Sequence, residues 1–141
     1  MNYERYKELF EGYELARLAG FREGTDPNKW FYALEVDKDR VPVAMRDIIT
    51  SLEGRGIQTR AIWGLINEQT PYRGAATYQV ERARYLADRI LNLPCSTQIT
   101  DEEIRCVVEN IKEVLGRAVT GHQVGMCGGS CSRGASLPIR L

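Results

Sequence analysis

The chain has 141 residues, of which 43% are hydrophobic, so it is long enough to bury one core of ordinary domain size. Nineteen basic side chains balance nineteen acidic ones, which argues against duplex nucleic acid or an anionic membrane as the partner. No stretch approaches the roughly 18 apolar residues of a membrane span, and residues 1–10 lack the apolar core of a signal peptide. We therefore expect a globular, cytoplasmic protein.

Four segments space their apolar residues at i, i+3, i+4 and i+7, which predicts helices with one buried face. The expected faces are Tyr6–Tyr13, Met45–Leu52, Ala83–Ile90 and Ile104–Ile111. Pro42 fits the first turn of the second helix, and Gly56 lies just past its end. Thr100 and Glu103 form a capping box before the fourth helix, for which Gly116 is the expected end.

Three runs between the helices are rich in β-branched and aromatic residues, and these are Trp30–Val36, Ile57–Ile62 and Ile90–Leu93. The alternation of helices and strands predicts the α/β class, as an α+β two-layer sandwich. Its helices cover a small antiparallel or mixed sheet of about three strands. The composition shifts after Gly116, so we expect a domain over 1–116 and a disordered tail rich in Gly, Ser and Cys over 117–141.

The stretch from Gly56 to Tyr72 carries the most binding chemistry in the chain. A short strand delivers Arg60 and Trp63 into a loop that also holds Asn67 and Gln69. A guanidinium, an indole and two carboxamides can together bind a phosphorylated or polyhydroxylated ligand. The alternative is a strand end whose Trp packs inward and whose Arg is solvated.

No self-contained catalytic machinery is evident in the folded part of the sequence. It lacks a glycine-rich phosphate loop followed by Lys, and it has no nucleophile that shares an ordered region with a histidine. Cys127, Cys131 and His122 suggest zinc only weakly, because their spacing matches no tight ligand pattern. We therefore predict no metal site.

The lysines offer no clear candidate for a Schiff base, which needs a desolvated amine. Lys7 and Lys112 fall on the polar faces of their helices, whereas Lys29 and Lys38 fall in turns. We expect all four side chains to be solvated.

Three segments of the sequence resemble a known family. They are WFYALEVD, RDIITSLEGRGIQTRAIWGLINEQTPYRGA and LADRILNLPCSTQITDEEIRCVVENIKEVL. Together they resemble the C-terminal small domain of the DegT/DnrJ/EryC1/StrS sugar aminotransferases, from about residue 3 to residue 115. GIQTRAIW, NEQTPY and NLPCSTQITDEEI are the most specific pieces, and they look closest to the branch that makes legionaminic acid or bacillosamine precursors.

The resemblance implies a homodimeric enzyme that uses pyridoxal phosphate to move an amino group from glutamate, which leaves as 2-oxoglutarate, to a keto sugar on a nucleotide. In the family, the large N-terminal domain supplies the cofactor lysine, so a large-domain polypeptide or a full-length homodimer partner is implied. The small domain supplies a wall of the sugar-nucleotide site. By position, Arg60, Trp63, Asn67 and Gln69 would face the substrate, and this chain would hold no catalytic, cofactor-binding or metal-binding residue.

Two further expectations follow from the resemblance. Many relatives have histidine where Asn67 stands, which puts a catalytic or phosphate-contacting role there in doubt. Met1 enters directly on the helix that leads into the small domain, so we expect a truncated or split gene product. The alternative function is a non-catalytic ligand-binding or interaction module that keeps the small-domain fold.

Overall fold

The computed structural model describes residues 2–121 and Ile139. The helices are α1 (Asn2–Phe10), α2 (Met45–Glu53), α3 (Glu81–Ala87) and α4 (Asp101–Val119). The strands are β1 (Ala16–Leu18), β2 (Tyr32–Val36), β3 (Arg60–Ala61) and β4 (Ile90–Leu93). Two short 3₁₀ turns, Ile66–Glu68 and Thr70–Tyr72, lie between β3 and α3.

In the described residues the strands form one antiparallel sheet of order β1-β2-β4-β3. Its register places Leu34 of β2 between Leu18 of β1 and Leu91 of β4. The predicted small α+β fold is confirmed, with four strands where the sequence predicted about three. β1 was missed because three residues are too few to show alternation, and its strand geometry comes from pairing with β2.

One face of the sheet packs against helices and forms the core. Alternate residues of β2 are buried, as are Leu91 and Leu93 of β4, and α1, α2 and α4 add their apolar stripes to the same cluster. Tyr6 of α1 is fully buried among them, and its hydroxyl donates to the Pro94 carbonyl at 3.0 Å. Full burial of an aliphatic side chain, such as Leu52 of α2 or Ile104 of α4, stabilises the fold by about 1.5–3 kcal/mol, so packing contributes strongly to holding these helices.

The third predicted helical face was wrong. α3 ends at Ala87 and contains no buried residue, whereas Ile90 is buried as the first residue of β4. A short apolar run can continue a helical period by chance, and periodicity alone does not separate it from a buried strand.

Of the predicted helix ends, the start of α4 agrees with the structure, whereas the start of α2 and the end of α4 do not. The capping box is confirmed, because Thr100 Oγ1 accepts from the Glu103 amide at 3.3 Å while the Glu103 carboxylate accepts from the Thr100 amide at 2.8 Å. Pro42 lies outside α2, which begins at Met45, so the first-turn placement was wrong. Gly116 was also wrong as a helix end, since α4 continues to Val119 and Ala118 of this last turn packs on the core. Packing therefore outweighs the cost of about 1 kcal/mol for a helical glycine.

The domain boundary at residue 116 stays a prediction. Residues 122–138 and 140–141 of the expected tail lie outside the described residues, and His122, Cys127 and Cys131 are among them. Ile139 is described, and it forms a parallel bridge with Ile57. No helix among the described residues is long and apolar enough to cross a membrane.

Candidate functional site

The sheet has a second face, opposite α1, α2 and α4, and it carries Arg60. Arg60 lies opposite Asn92 of β4, and Asn92 lies opposite Ala33 of β2. Directly opposed side chains in an antiparallel pair point to the same face, and strand alternation puts that face opposite the buried Leu34. We call it the outer face. Arg60 is exposed there, and within the described part of the chain its guanidinium has neither a hydrogen bond nor an ion pair.

An aromatic cluster stands beside β3, and we call it the aromatic ladder, formed by Trp30, Phe31 and Trp63. The Phe31 and Trp63 rings meet edge to face, with centroids 5.3 Å apart and planes at 84°. The Trp30 and Phe31 centroids are 4.7 Å apart. Trp30 is 68% exposed and Trp63 is 70% exposed, so the alternative in which Trp63 packs inward is wrong. Both indoles present apolar surface to a ligand or a partner.

A constrained turn presents Trp30 at the start of the ladder. Lys29 has a φ of 50°, in the left-handed region that non-glycine residues rarely occupy, and the Trp30 amide donates to Asn28 Oδ1 at 3.2 Å. The Lys29 ammonium holds the turn down, because it pairs with Glu4 at 3.1 Å and lies 5.1 Å from the Tyr3 ring centroid. Such backbone strain costs on the order of 1 kcal/mol and is often found at binding sites.

The two predicted carboxamides lie further along the segment of residues 62–80, which we call the β3–α3 loop. Asn67 is half-buried inside the first 3₁₀ turn, and Gln69 is exposed between the two turns. The Gln69 amide donates to the Ile66 carbonyl at 3.1 Å, and the Tyr72 amide donates to the Gln69 carbonyl at 2.9 Å. Among the described residues, no hydrogen bond joins either carboxamide side chain to Arg60 or to Trp63. The four predicted site residues thus share one strand and its loop without forming a closed cluster.

The β3–α3 loop exposes three large apolar or aromatic side chains to solvent. Ile66, Tyr72 and Tyr78 are 68%, 49% and 83% exposed. The loop is braced at Glu68, whose carboxylate lies 3.6 Å from Arg84 of α3. An exposed apolar loop of this kind is typical of a surface that another polypeptide or a ligand covers.

Three of the lysines are held by partners, so the expectation that all four are solvated was wrong. Lys29 is paired as described above, Lys38 donates to the Val43 carbonyl, and Lys112 donates to the Leu9 carbonyl at 2.8 Å. Desolvation lowers the pKa of Lys38 from its ordinary value. The sequence did not indicate these contacts, because each joins the lysine to a carbonyl or carboxylate that folding brings near.

A cleft of about 330 Å³ lies away from Arg60, between β1, the end of β2 and α3, and it was not found from the sequence. It is lined by Arg17, Glu35, Asp39, Tyr85 and Arg89, among others. The two arginines of this cleft are already in ion pairs, Arg17 with Glu35 at 2.8 Å and Arg89 with Asp39 at 3.4 Å. Its guanidiniums are therefore less available to an anion than Arg60 is.

The described residues contain no group of three or more His, Cys, Asp or Glu side chains that could hold a metal ion. Cys127, Cys131 and His122 lie outside that part of the chain, so the prediction of no zinc site there stays a prediction.

The chain matches one family model and several solved structures. Residues 1–112 match the model of the DegT/DnrJ/EryC1/StrS aminotransferase family. A crystal structure of DesI in the presence of its TDP-sugar product is 25% identical, with a TM-score of 0.76 over 84% of this chain and 31% of that chain. The aminotransferase TlmJ from Streptoalloteichus hindustanus is 18% identical, with a TM-score of 0.69 over 84% of this chain and 31% of that chain.

The sugar aminotransferase CalS13 from Micromonospora echinospora is 21% identical, with a TM-score of 0.66 over 79% of this chain and 28% of that chain. The chain therefore spans about a third or less of the length of these structures, and at these identities the last two show the fold alone. A comparison with curated protein sequences finds no match.

Proposed function

The chain belongs to the DegT/DnrJ/EryC1/StrS aminotransferase family, which depends on pyridoxal phosphate, and from that premise we propose that it forms the small-domain part of a sugar aminotransferase. The substrate class we propose is a keto sugar linked to a nucleotide. The family match over residues 1–112 supports this, as does the fold similarity to DesI, whose structure was determined with its TDP-sugar product.

The role we propose for this chain is a wall of the sugar-nucleotide site. The observation that carries it is the exposed Arg60 guanidinium, without a partner in the described residues and a few residues before the exposed Trp63. A guanidinium can bind a phosphate through two parallel hydrogen bonds, and an indole offers a stacking face. Asn67 and Gln69 complete the proposed wall, where their carboxamides can donate to and accept from sugar hydroxyls. Asn67 has no titratable proton, so it can position a substrate but cannot transfer a proton.

The residues described do not fit the cofactor. When bound, pyridoxal phosphate supplies an electron sink for the substrate carbanion, and it needs a lysine amine for attachment. Lys29, Lys38 and Lys112 are committed to a carboxylate or to backbone carbonyls, and Lys7 stands on the exposed side of α1. We therefore propose that a large-domain polypeptide, or the partner in a homodimer, supplies the lysine.

The finer assignment rests on the sequence motifs. Glutamate is the amino donor we propose, with 2-oxoglutarate as its product. GIQTRAIW and NEQTPY favour the branch that makes legionaminic acid or bacillosamine precursors. The competing function is a binding module without chemistry, which the poor fit of the lysines to the cofactor favours.

The wall is tested by titrating the isotopically labelled chain with pyrophosphate, in the millimolar range, while the Arg60 backbone amide and Nε–H resonances are followed by NMR. We expect both Arg60 resonances to shift in a saturable manner. Arg60→Ala should weaken pyrophosphate binding at least tenfold, because it removes a charge-assisted hydrogen bond worth about 1.5–3 kcal/mol.

The matched control is Arg46→Ala, since Arg46 is an exposed arginine of α2. This variant should bind pyrophosphate as the unaltered chain does. Equal losses of affinity in the two variants would show only general attraction to positive charge, and they would contradict a site at Arg60.

A further inference from the structure

We propose that Trp30 and Trp63, joined through Phe31, form a stacking platform for the nucleobase of the nucleotide sugar. The proposal rests on the proposed function and adds two residues, Trp30 and Phe31, that lie on a different segment from the predicted site. The ligand chemistry is a flat heterocycle linked to a diphosphate.

The first support is the way the ladder is built. Trp30 and Phe31 are neighbours in the chain, with ring centroids 4.7 Å apart, whereas Phe31 and Trp63 come from distant segments and their centroids lie 5.3 Å apart. Each contact limits the rotamers of its neighbours, so the stacking surface is largely organised before a ligand arrives. Both indoles nevertheless stay about two-thirds exposed, at 68% and 70%. Rings that served the core would be buried like Tyr6, which is fully covered.

The second support is the strained turn before Trp30. Lys29 adopts a left-handed backbone, and the turn is held by the Lys29–Glu4 ion pair and by the Trp30 amide, which donates to Asn28 Oδ1. The strained turn sets the direction in which the chain enters at Trp30, and Trp30 adds nothing to the core because it is exposed. Strain that serves an exposed ring indicates a binding role.

The third support is the position of the charge. Phe31 immediately precedes β2, two residues before Ala33, so continuing the alternation of that strand by one residue puts it on the outer face with Arg60. Arg60 and Trp63 are separated by at most about 10 Å of extended chain. A guanidinium without a partner in the described residues and an exposed ring at this spacing suit a ligand that carries phosphate at one end and a planar base at the other.

The composition of the chain makes the test direct. It contains two tryptophans, so its spectrum has two indole Nε1–H resonances, which Trp30→Phe and Trp63→Phe assign. The probes are thymidine diphosphate, thymidine and pyrophosphate, each in the millimolar range. We expect both indole resonances to shift with thymidine diphosphate and with thymidine, and neither to shift with pyrophosphate. Trp30→Ala should weaken binding of thymidine diphosphate about tenfold or more, in line with the loss of one base–aromatic stack.

Phe31→Leu tests the middle of the ladder, because it keeps apolar volume and removes the ring. We expect it to weaken thymidine diphosphate binding several-fold while the pyrophosphate affinity stays unchanged. Tyr85→Leu is the matched control, since Tyr85 is a partly exposed ring on α3 that lines the cleft beside Arg17 and Arg89, away from the ladder. It should leave thymidine diphosphate binding as it is in the unaltered chain.

The outcomes separate this inference from the proposed function. A thymidine diphosphate shift at Trp63 alone would overturn the platform and leave the Arg60 wall standing. If the Arg60 resonances shift with pyrophosphate but neither indole resonance shifts with thymidine diphosphate, the platform is likewise overturned and the Arg60 wall stands. If neither Arg60 nor the indoles respond to any probe, both proposals fail. Indole resonances that change with protein concentration in the absence of nucleotide would mark the ladder as a protein interface and overturn the platform.

Discussion

Phe31 and Trp63 meet edge to face, with ring centroids 5.3 Å apart, although one precedes β2 and the other follows β3. The contact joins the start of one strand to the end of another, across the outer face. Aromatic pairs of this geometry contribute about 0.5–1.5 kcal/mol beyond the area that they bury. We expect a double-mutant cycle with Phe31→Leu and Trp63→Leu, measured by urea unfolding, to give a coupling energy in that range. Additive losses would contradict the contact.

The last helix should depend on its buried stripe. Val108 of α4 is 3% exposed, so Val108→Asp would bury a charge without a partner and should cost several kcal/mol or abolish folding. Arg105→Asp introduces the same residue on the exposed side of α4 and should change the unfolding free energy by less than about 0.5 kcal/mol. Circular dichroism during denaturation measures both. Similar stabilities would mean that α4 does not dock on the sheet as described.

The ion pair between α2's C-terminal turn and α4 should make stability depend on acid pH. Arg55 donates to Glu113 at 2.8 Å, and this hydrogen bond lowers the pKa of Glu113 below its ordinary value of 4.5. Between the lowered and the ordinary pKa, the unfolded chain binds more protons, so stability rises with pH there and is lost as the pH falls through the folded value.

We expect Glu113→Gln to flatten the acid limb of a plot of unfolding free energy against pH. The effect should be modest, since the Glu113 side chain is 41% exposed and solvent screens the pair. Glu109→Gln, at an exposed carboxylate of the same helix, is the control and should leave the limb as steep as before. An unchanged limb in Glu113→Gln would assign the acid sensitivity to other groups.

Ile139 should protect the Gln58 amide from hydrogen exchange. Its carbonyl accepts from the Gln58 amide at 2.9 Å, and its own amide donates to the Gly56 carbonyl at 3.0 Å. Ile139→Pro removes the N–H that donates to Gly56 but keeps the carbonyl that accepts from Gln58. Because the first bond holds that carbonyl in place, we expect faster hydrogen exchange at Gln58. The Ile57 amide donates to the Leu52 carbonyl at 3.0 Å and should keep its protection. Loss of protection at both amides would indicate that the whole edge depends on Ile139.

The chain by itself should form no specific aldimine with pyridoxal phosphate. Borohydride reduction of the mixture, followed by peptide mapping, should find no stoichiometric label on any of the four lysines. The reason is that three ammoniums have partners and Lys7 is not desolvated. Full labelling of a single lysine would contradict the proposal that another polypeptide supplies the catalytic amine.

The sequence predicted correctly those helices and strands that are determined by residues close together in the chain. The capping box at Thr100 and Glu103 and the apolar stripe that begins at Ile104 are short-range patterns, and α4 follows them. β4 was predicted over Ile90–Leu93 and found there, because the run is short and stops at Pro94, although Ile90 was also assigned to the third helical face. β3 is shorter than predicted, since only Arg60 and Ala61 pair in the ladder with β4. Its length was decided by its neighbour in the sheet.

The same division holds for the site. The residue types after Gly56 determined the chemistry available, namely a guanidinium, an indole and two carboxamides, and they singled out Arg60 and Trp63. Only the tertiary structure decided that Phe31 would stand against Trp63 and that the guanidinium would stay without a partner in the described residues. Composition determines what a side chain can bind, whereas strand order and register determine which side chains meet, because pairing joins residues that are far apart in the chain.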